Sequence, residues 1–179
     1  TVRKATQGLA NYLKKHAEHP SAAIAYDSRI KSDLFAREAA AVLAANGVKA
    51  HIYPQLSPTP TLSWAVRTLR CDAGICVTAS HNPAKYNGYK VYGDDGCQIT
   101  LKMADDVLAE IEKLDVFHDI RRMDYGKAQA EGLVSLIPDD VIDRFLDEVM
   151  KQRVFSEPCT GLKVVYTPLN GTGRVCVTR

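Results

Sequence analysis

One short stretch of this sequence holds a nucleophile together with side chains that can bind phosphate. Ser80 carries a hydroxyl group that can accept and return a phosphoryl group, and its neighbours His81 and Asn82 can donate hydrogen bonds to phosphate oxygens. Lys90 follows ten residues later and offers a positive charge that can also exchange a proton. Because phosphoryl transfer depends mainly on charge neutralisation and in-line positioning, we predict phosphate chemistry at Ser80. Lys90 and His81 are further catalytic candidates, and Asn82 is a candidate phosphate or substrate contact.

A second group of polar side chains, residues 27–29 (DSR), follows an apolar run at residues 22–26. Arg29 in this group can form a bidentate hydrogen-bonded fork with a phosphate. The carboxyl ends of parallel strands meet at one edge of a sheet, where ligand sites gather. We therefore expect Arg29 to lie near the Ser80 loop and to bind phosphate or substrate.

The Asn87-Gly88 pair permits a tight bend in the chain between Ser80 and Lys90. Such a bend would turn Lys90 back toward Ser80. Asn87 is also a candidate phosphate or substrate contact, because its amide can donate hydrogen bonds.

The hydrophobic pattern alternates between strand and helix, and this alternation must position the polar groups. The strands are predicted at residues 22–26, 49–53 and 73–77, and the helices at residues 2–16, 32–46, 61–69, 104–114 and 141–149. A further extended pair is predicted at residues 89–92 and 97–99 around the turn at 93–96. This order predicts the α/β class, with a three-layer α/β/α domain and a mixed, mainly parallel sheet.

The C-terminal part of the chain is predicted to leave this domain. We expect a first domain at residues 1–154, a linker at 155–161, and the truncated start of a second domain at 162–179. Residues 162–166 (LKVVY) have the pattern of a strand whose sheet is missing. Because an unpaired apolar strand tends to find a partner, self-association through this strand is a further prediction.

The composition excludes some classes of partner. The formal net charge is only +2, which gives no support for a nucleic-acid partner, and no window approaches the ~20 apolar residues of a membrane span. The five cysteines form no CxxC pair, so we predict reduced thiols in a cytoplasmic protein. The chain begins with Thr1 rather than Met, which suggests a fragment of a longer protein.

Residues 78–83 (TASHNP), followed by residues 86–90 (YNGYK), closely resemble the signature of the α-D-phosphohexomutase superfamily. The resemblance covers nearly the whole chain, and the overall look is nearest to bacterial phosphoglucomutases. Residues 165–173 (VYTPLNGTG) also look like the opening strand and turn of that family's second domain.

The resemblance implies a specific reaction. Ser80 would be phosphorylated in the resting enzyme and would pass its phosphoryl group to a sugar monophosphate. The resulting hexose 1,6-bisphosphate, which also serves as activator, would reorient and return the other phosphoryl group. The net result would interconvert hexose 1-phosphate and hexose 6-phosphate, with glucose favoured over mannose or glucosamine. Lys90 would perform acid/base work, and His81 would assist near the phosphoserine.

The resemblance also implies groups that this chain lacks. Mg²⁺ would be bound by the phosphate on Ser80 together with three aspartates of a DxDxD loop in the second domain. That loop, the sugar-specificity loop, the phosphate-binding loop and an N-terminal segment with a catalytic arginine are not in this sequence. The chain would need the remaining domains of its parent, so we predict no substantial mutase turnover from it alone.

Two other functions fit parts of the sequence. A serine hydrolase could use Ser80 and His81, but the chain has no GxSxG elbow, and adjacent residues rarely orient one another for proton transfer. A non-catalytic sugar-phosphate-binding domain, or a regulatory domain phosphorylated at Ser80, would need the same loop without turnover.

Overall fold

Short apolar strands alternate with amphipathic helices in the computed structural model, which describes residues 1–155, 157 and 160–179. The strands are β1 (Ser21–Tyr26), β2 (Lys49–Ile52), β3 (Ala73–Val77), β4 (Tyr89–Gly93) and β5 (Val134–Leu136). The helices are α1 (Val2–His16), α2 (Ser32–Ala45), α3 (Thr59–Thr68), α4 (Leu101–Glu112), α5 (Tyr125–Ala130), α6 (Asp139–Lys151) and α7 (Arg174–Thr178).

The strands form one mixed sheet in the order β4-β3-β1-β2-β5. Strands β1, β2, β3 and β5 run parallel, and β4 pairs with β3 in the antiparallel direction at the edge. Ile24 in the central strand lies opposite Ile52 on one side and Ile75 on the other. This is the mixed, mainly parallel sheet that the alternation of elements predicts.

Helices cover both faces of the sheet. One face, with Ile24 and Ile75, packs against α1, α2, α4 and α5, and the other, with Ala23 and Cys76, packs against α3 and α6. Burial on both faces explains why β1 and β3 have continuous apolar sequences rather than alternating ones. Fully burying an isoleucine contributes about 1.5–3 kcal/mol, so this layer is the main source of stability. The three-layer prediction is confirmed.

Some elements differ from the sequence-based expectation. Helix α5 and strand β5 were not predicted, because they are only six and three residues long and carry little periodicity. Residues 97–99 form a single bridge, between Tyr92 and Gln98, rather than a strand.

The predicted strand at residues 162–166 is wrong. These residues are exposed, and the described part of the chain offers them no strand partner. Strand formation needs a neighbouring edge, which the described residues do not supply. Self-association through residues 162–166 stays a prediction. The linker predicted at 155–161 includes residues 156, 158 and Cys159, which lie outside the described residues. The other four cysteines are free thiols.

Among the described residues, none of the helices combines the length and the apolar character that crossing a lipid bilayer would need.

Candidate functional site

The loop from Thr78 to Gly88 connects β3 to β4 and is closed at its base by backbone pairing. The Thr78 N–H donates to the Gly88 carbonyl at 3.1 Å, directly beyond the last ladder pair, Val77 with Tyr89. A side chain at Gly88 could not be accommodated here, because its Cβ would lie 2.5 Å from the Thr78 carbonyl oxygen. The antiparallel return of the chain brings Lys90 beside the loop. The chain turns at residues 79–86, and the bend predicted at Asn87-Gly88 is absent because Gly88 extends the pairing of β3 with β4.

Ser80 lies exposed on this loop in an unusual backbone conformation. Its φ is 55°, in the left-handed region that residues other than glycine rarely adopt. Its Oγ accepts a hydrogen bond from Lys90 Nζ at 2.8 Å. A residue in this region is strained by about 1–3 kcal/mol and stays there only when its surroundings hold it.

Arg29 provides much of that hold. Its guanidinium donates to the Asp27 carboxylate at 3.0 Å and to four loop carbonyls, those of Ser80 at 2.5 Å, Asn82 at 2.6 Å, Pro83 at 2.8 Å and Tyr86 at 3.1 Å. These five bonds use all five N–H donors of the guanidinium. The phosphate fork predicted for Arg29 needs donors that this arrangement already commits to the loop. The geometry therefore supports a positioning role for Arg29.

His81 and Asn82 lie with Ser80 around a concavity of about 650 Å³. Both residues are exposed, and the Asn82 backbone N–H closes a turn on the Ala79 carbonyl at 3.1 Å. Their roles as phosphate or substrate contacts stay predictions.

Asn87 is turned away from this group. Its side-chain amide donates to the Ile30 carbonyl at 3.2 Å and to Ser32 Oγ at 3.1 Å, and its side-chain oxygen accepts from the Gly88 N–H at 3.2 Å. The side chain thereby attaches the end of the loop to the start of α2. It does not line the Ser80 concavity, so the structure gives no contact for its predicted substrate-binding role.

The far wall of the concavity comes from the C-terminal segment, which the sequence reasoning did not include in the site. Residues 169–172 line it, and the Ser28 hydroxyl donates to the Asn170 carbonyl. Arg179 anchors the segment through its guanidinium, with Nε 2.6 Å from Asp143 Oδ1 on α6. The only sequence signal was the turn chemistry of Pro168 and Gly171.

Cys76 lies at the floor of the same concavity but is unsuited to act as a nucleophile. It is 1% exposed, and burial raises the pKa of its thiol, only partly offset by the Thr59 hydroxyl 3.7 Å away. The thiolate is the nucleophilic form of cysteine, so this residue is inert at neutral pH. The exposed Ser80 hydroxyl is the better nucleophile of the two.

The described residues alone offer no complete magnesium site. Within the described residues, no group of three or more His, Cys, Asp or Glu side chains could hold a metal ion. Asp27 lines the concavity, but its carboxylate already accepts four hydrogen bonds. A cation bound to a phosphate on Ser80 would therefore need its other ligands from elsewhere.

The fold and the loop together define an α/β domain that presents one serine, with a lysine on its hydroxyl, at the carboxyl edge of the sheet. A family model described as "Phosphoglucomutase/phosphomannomutase, alpha/beta/alpha domain I" matches residues 1–117, which is more than half of the chain. The chain belongs to this phosphoglucomutase/phosphomannomutase family.

Curated relatives align along almost the whole chain. A protein of Haemophilus influenzae named "Probable phosphomannomutase" is 37% identical over 177 residues, covering 96% of this chain and 34% of the relative. A phosphoglucomutase of Staphylococcus saprophyticus is 37% identical, covering 96% of this chain and 31% of the relative. A Schizosaccharomyces pombe protein named "Probable phosphoribomutase" is 40% identical, covering 99% and 31%. The chain thus spans about a third of the length of these relatives.

Solved structures show the same fold. Parafusin, a phosphoglucomutase from Paramecium, superposes with a TM-score of 0.70 at 18% identity, covering 86% of this chain and 32% of that one. A phosphoglucomutase/phosphomannomutase family protein of Burkholderia thailandensis gives a TM-score of 0.65 at 22% identity, covering 88% and 32%.

Proposed function

We propose that this chain is the phosphoserine-bearing domain of an enzyme that interconverts hexose 1-phosphate and hexose 6-phosphate. The observation that carries the proposal is the 2.8 Å hydrogen bond from Lys90 Nζ to the exposed Ser80 Oγ. The loop is closed at its base by the Thr78–Gly88 backbone bond and held inside by Arg29, which donates to the Ser80 carbonyl. Family membership supports a hexose phosphate mutase domain in general terms. The phosphoserine and the bisphosphorylated sugar are the finer part of the proposal.

The chemistry of this chain's residues follows from their positions. A sugar hydroxyl attacks the phosphorus on Ser80, a new phosphorus–oxygen bond to the sugar forms, and the bond to Ser80 Oγ breaks. The proton of the attacking hydroxyl passes to a base outside this chain, which returns it to the leaving sugar oxygen when Ser80 is phosphorylated again. Lys90 donates its proton to the departing Oγ, which restores the serine hydroxyl, and takes a proton back when Ser80 is phosphorylated again. His81 and Asn82 line the concavity and would donate hydrogen bonds to the phosphoryl oxygens.

The proposal assigns the rest of the cycle to groups outside this chain. Mg²⁺ would supply charge neutralisation at the phosphate, with its further ligands from another domain of the parent. Hexose 1,6-bisphosphate would act as intermediate and activator. Because the chain spans about a third of its relatives, we expect no substantial turnover from it in a coupled assay with glucose 1-phosphate and glucose 1,6-bisphosphate. Turnover near that of a full-length mutase would contradict this expectation. A cytoplasmic location also belongs to the proposal.

The test is intact-mass spectrometry of the full-length parent protein, which contains the other domains, before and after incubation with glucose 1,6-bisphosphate. We expect the mass to rise by one phosphate and to fall again when a sugar monophosphate is added. Glucose, mannose, glucosamine and ribose phosphates should be compared as acceptors, because one relative is named as a phosphoribomutase. A phosphate on Ser80 that no sugar discharges would favour a regulatory role instead.

A fluorophosphonate probe distinguishes the serine-hydrolase alternative from the proposed phosphoryl transfer. In the described part of the chain, the hydrogen-bond partner of Ser80 Oγ is Lys90 and not the adjacent His81. We therefore expect no probe labelling at Ser80, and rapid labelling would favour the hydrolase.

A further inference from the structure

The Asp27 carboxylate is the most heavily used acceptor near the Ser80 loop. Its Oδ1 accepts from the Arg29 backbone N–H at 3.0 Å and from Ser32 Oγ at 2.7 Å. Its Oδ2 accepts from Arg29 Nε at 3.0 Å and from Thr78 Oγ1 at 2.6 Å. An ionised carboxylate offers about four lone-pair sites, so all of its capacity is in use.

One chain of hydrogen bonds leads from this carboxylate to the Ser80 backbone. A threonine hydroxyl has one proton to donate, and Thr78 gives it to Asp27. Its oxygen is then left as an acceptor, and the Ser80 N–H donates to it at 3.1 Å. The direction of both bonds is therefore set by Asp27, which can only accept.

A second chain passes through the Arg29 guanidinium. The bond from Arg29 Nε to Asp27 orients the plane of the guanidinium, and its two terminal nitrogens then reach the loop carbonyls. Ser80 is thereby held on both sides, through its N–H by Thr78 and through its carbonyl by Arg29.

We propose that Asp27 is a positioning residue for Ser80, which holds the left-handed backbone of that residue through Thr78 and Arg29. The consequence is that Ser80 Oγ stays within hydrogen-bond distance of Lys90. The activity arm of the test rests on the proposed phosphoryl transfer, whereas the structural arm does not.

An asparagine at position 27 would have the same shape but the wrong hydrogen bonds. Its NH₂ group would face donors in either orientation. At the Oδ2 position it would meet Arg29 Nε–H and the Thr78 hydroxyl, and at the Oδ1 position the Arg29 backbone N–H and the Ser32 hydroxyl. If Thr78 turned its proton away to accept from that amide, the bond from the Ser80 N–H would be weakened or lost. The charge-assisted bond from Arg29 would also be weaker.

The experiment compares Asp27→Asn, Thr78→Val and Thr78→Ser with a matched control, Asp124→Asn. Asp124 caps α5, where its side chain accepts from the Lys127 N–H at 2.9 Å, and asparagine caps helices equally well. The structural readout is hydrogen exchange of the Ser80 amide by NMR. The activity readout is measured on the full-length parent with the same substitutions: the rate of phosphoryl uptake from glucose 1,6-bisphosphate and its half-saturating concentration.

We expect Asp27→Asn and Thr78→Val to accelerate Ser80 amide exchange and to slow phosphoryl uptake by about 10- to 100-fold, since displacement of a reacting group by ~1 Å has effects of that size. The half-saturating concentration should change less than about twofold, and Thr78→Ser should restore the uptake rate to within about threefold. Asp124→Asn should leave both the Ser80 amide exchange and the phosphoryl uptake rate unchanged.

Two outcomes would overturn the inference. One is unchanged Ser80 amide exchange in Thr78→Val. The other is an uptake rate in Thr78→Ser as slow as in Thr78→Val, which would mean that the hydroxyl is irrelevant. If the unsubstituted full-length parent takes up no phosphoryl group at all, the proposed function fails, and amide exchange alone then decides the role of Asp27. Should Asp27→Asn fail to fold, the Thr78 pair still decides it.

Discussion

Replacing Gly88 with alanine should open the base of the Ser80 loop. The new Cβ would lie 2.5 Å from the Thr78 carbonyl oxygen and 3.3 Å from its carbonyl carbon. These are backbone atoms, which cannot rotate away as a side chain could. The two chain segments must separate, and the 3.1 Å bond from the Thr78 N–H to the Gly88 carbonyl is strained or lost.

The expected loss of stability can be estimated from these two effects. Overpacking costs about 1–3 kcal/mol, and a lost backbone hydrogen bond costs about 0.5–1.5 kcal/mol. We therefore expect Gly88→Ala to lower the free energy of unfolding by about 2–4 kcal/mol, which a domain with a typical ~5–15 kcal/mol survives. Phosphoryl uptake at Ser80 should fall more than the folded fraction does, because the displaced loop base carries Ser80 with it.

Gly93→Ala is the matched control. Gly93 ends the same strand, and its new Cβ would meet only the end of the Asp95 side chain, at 3.3 Å. Urea unfolding followed by circular dichroism should show a change below about 1 kcal/mol for this variant. If both variants lost the same free energy to within about 0.5 kcal/mol, the close approach at Gly88 would not be a constraint on the loop.

Three further predictions concern single side chains. Lys90→Met should slow phosphoryl uptake at Ser80 by about 10²-fold or more while leaving urea unfolding nearly unchanged, and an unaffected rate would exclude its proton-transfer role. Hydrogen bonds from two arginines, that from Arg122 foremost, hold the pKa of Glu38 below its usual 4.5, so its stabilising effect is present above pH ~4.5 and is lost as the pH falls through the lower folded value. Acid titration of the free energy of unfolding should therefore be less steep below pH ~4.5 for Glu38→Gln, and identical curves would refute this. With a thiol reagent at pH 8, the exposed Cys97 should react at once and Cys71 only on unfolding, because burial raises the pKa of Cys71 to about 11; equal rates would contradict the packing.

The sheet and its edge were predictable because their signals are local. The apolar runs of β1 and β3 are continuous and bounded by polar residues, which is the pattern of strands buried on both faces. The antiparallel return brings Lys90 to Ser80 as expected, but glycine at position 88 serves the close approach to the Thr78 carbonyl rather than the predicted bend.

The hydrogen bonds of Arg29 to the loop carbonyls could not be predicted from the sequence. Its acceptors are backbone carbonyls more than 50 positions away, and any sequence supplies carbonyls. An arginine near a predicted phosphate site therefore looks the same whether it binds the phosphate or the loop. For the same reason residues 162–166 were misread, since an apolar run does not say whether a partner edge exists.

The central claim is that Ser80 itself receives the phosphoryl group, and radiolabelled glucose 1,6-bisphosphate tests it most directly. After incubation of the full-length parent with the labelled sugar and tryptic digestion, we predict label on the peptide containing Ser80 and none on a Ser80→Ala chain. Label on a different peptide, or equal labelling of the Ser80→Ala chain, would contradict the claim.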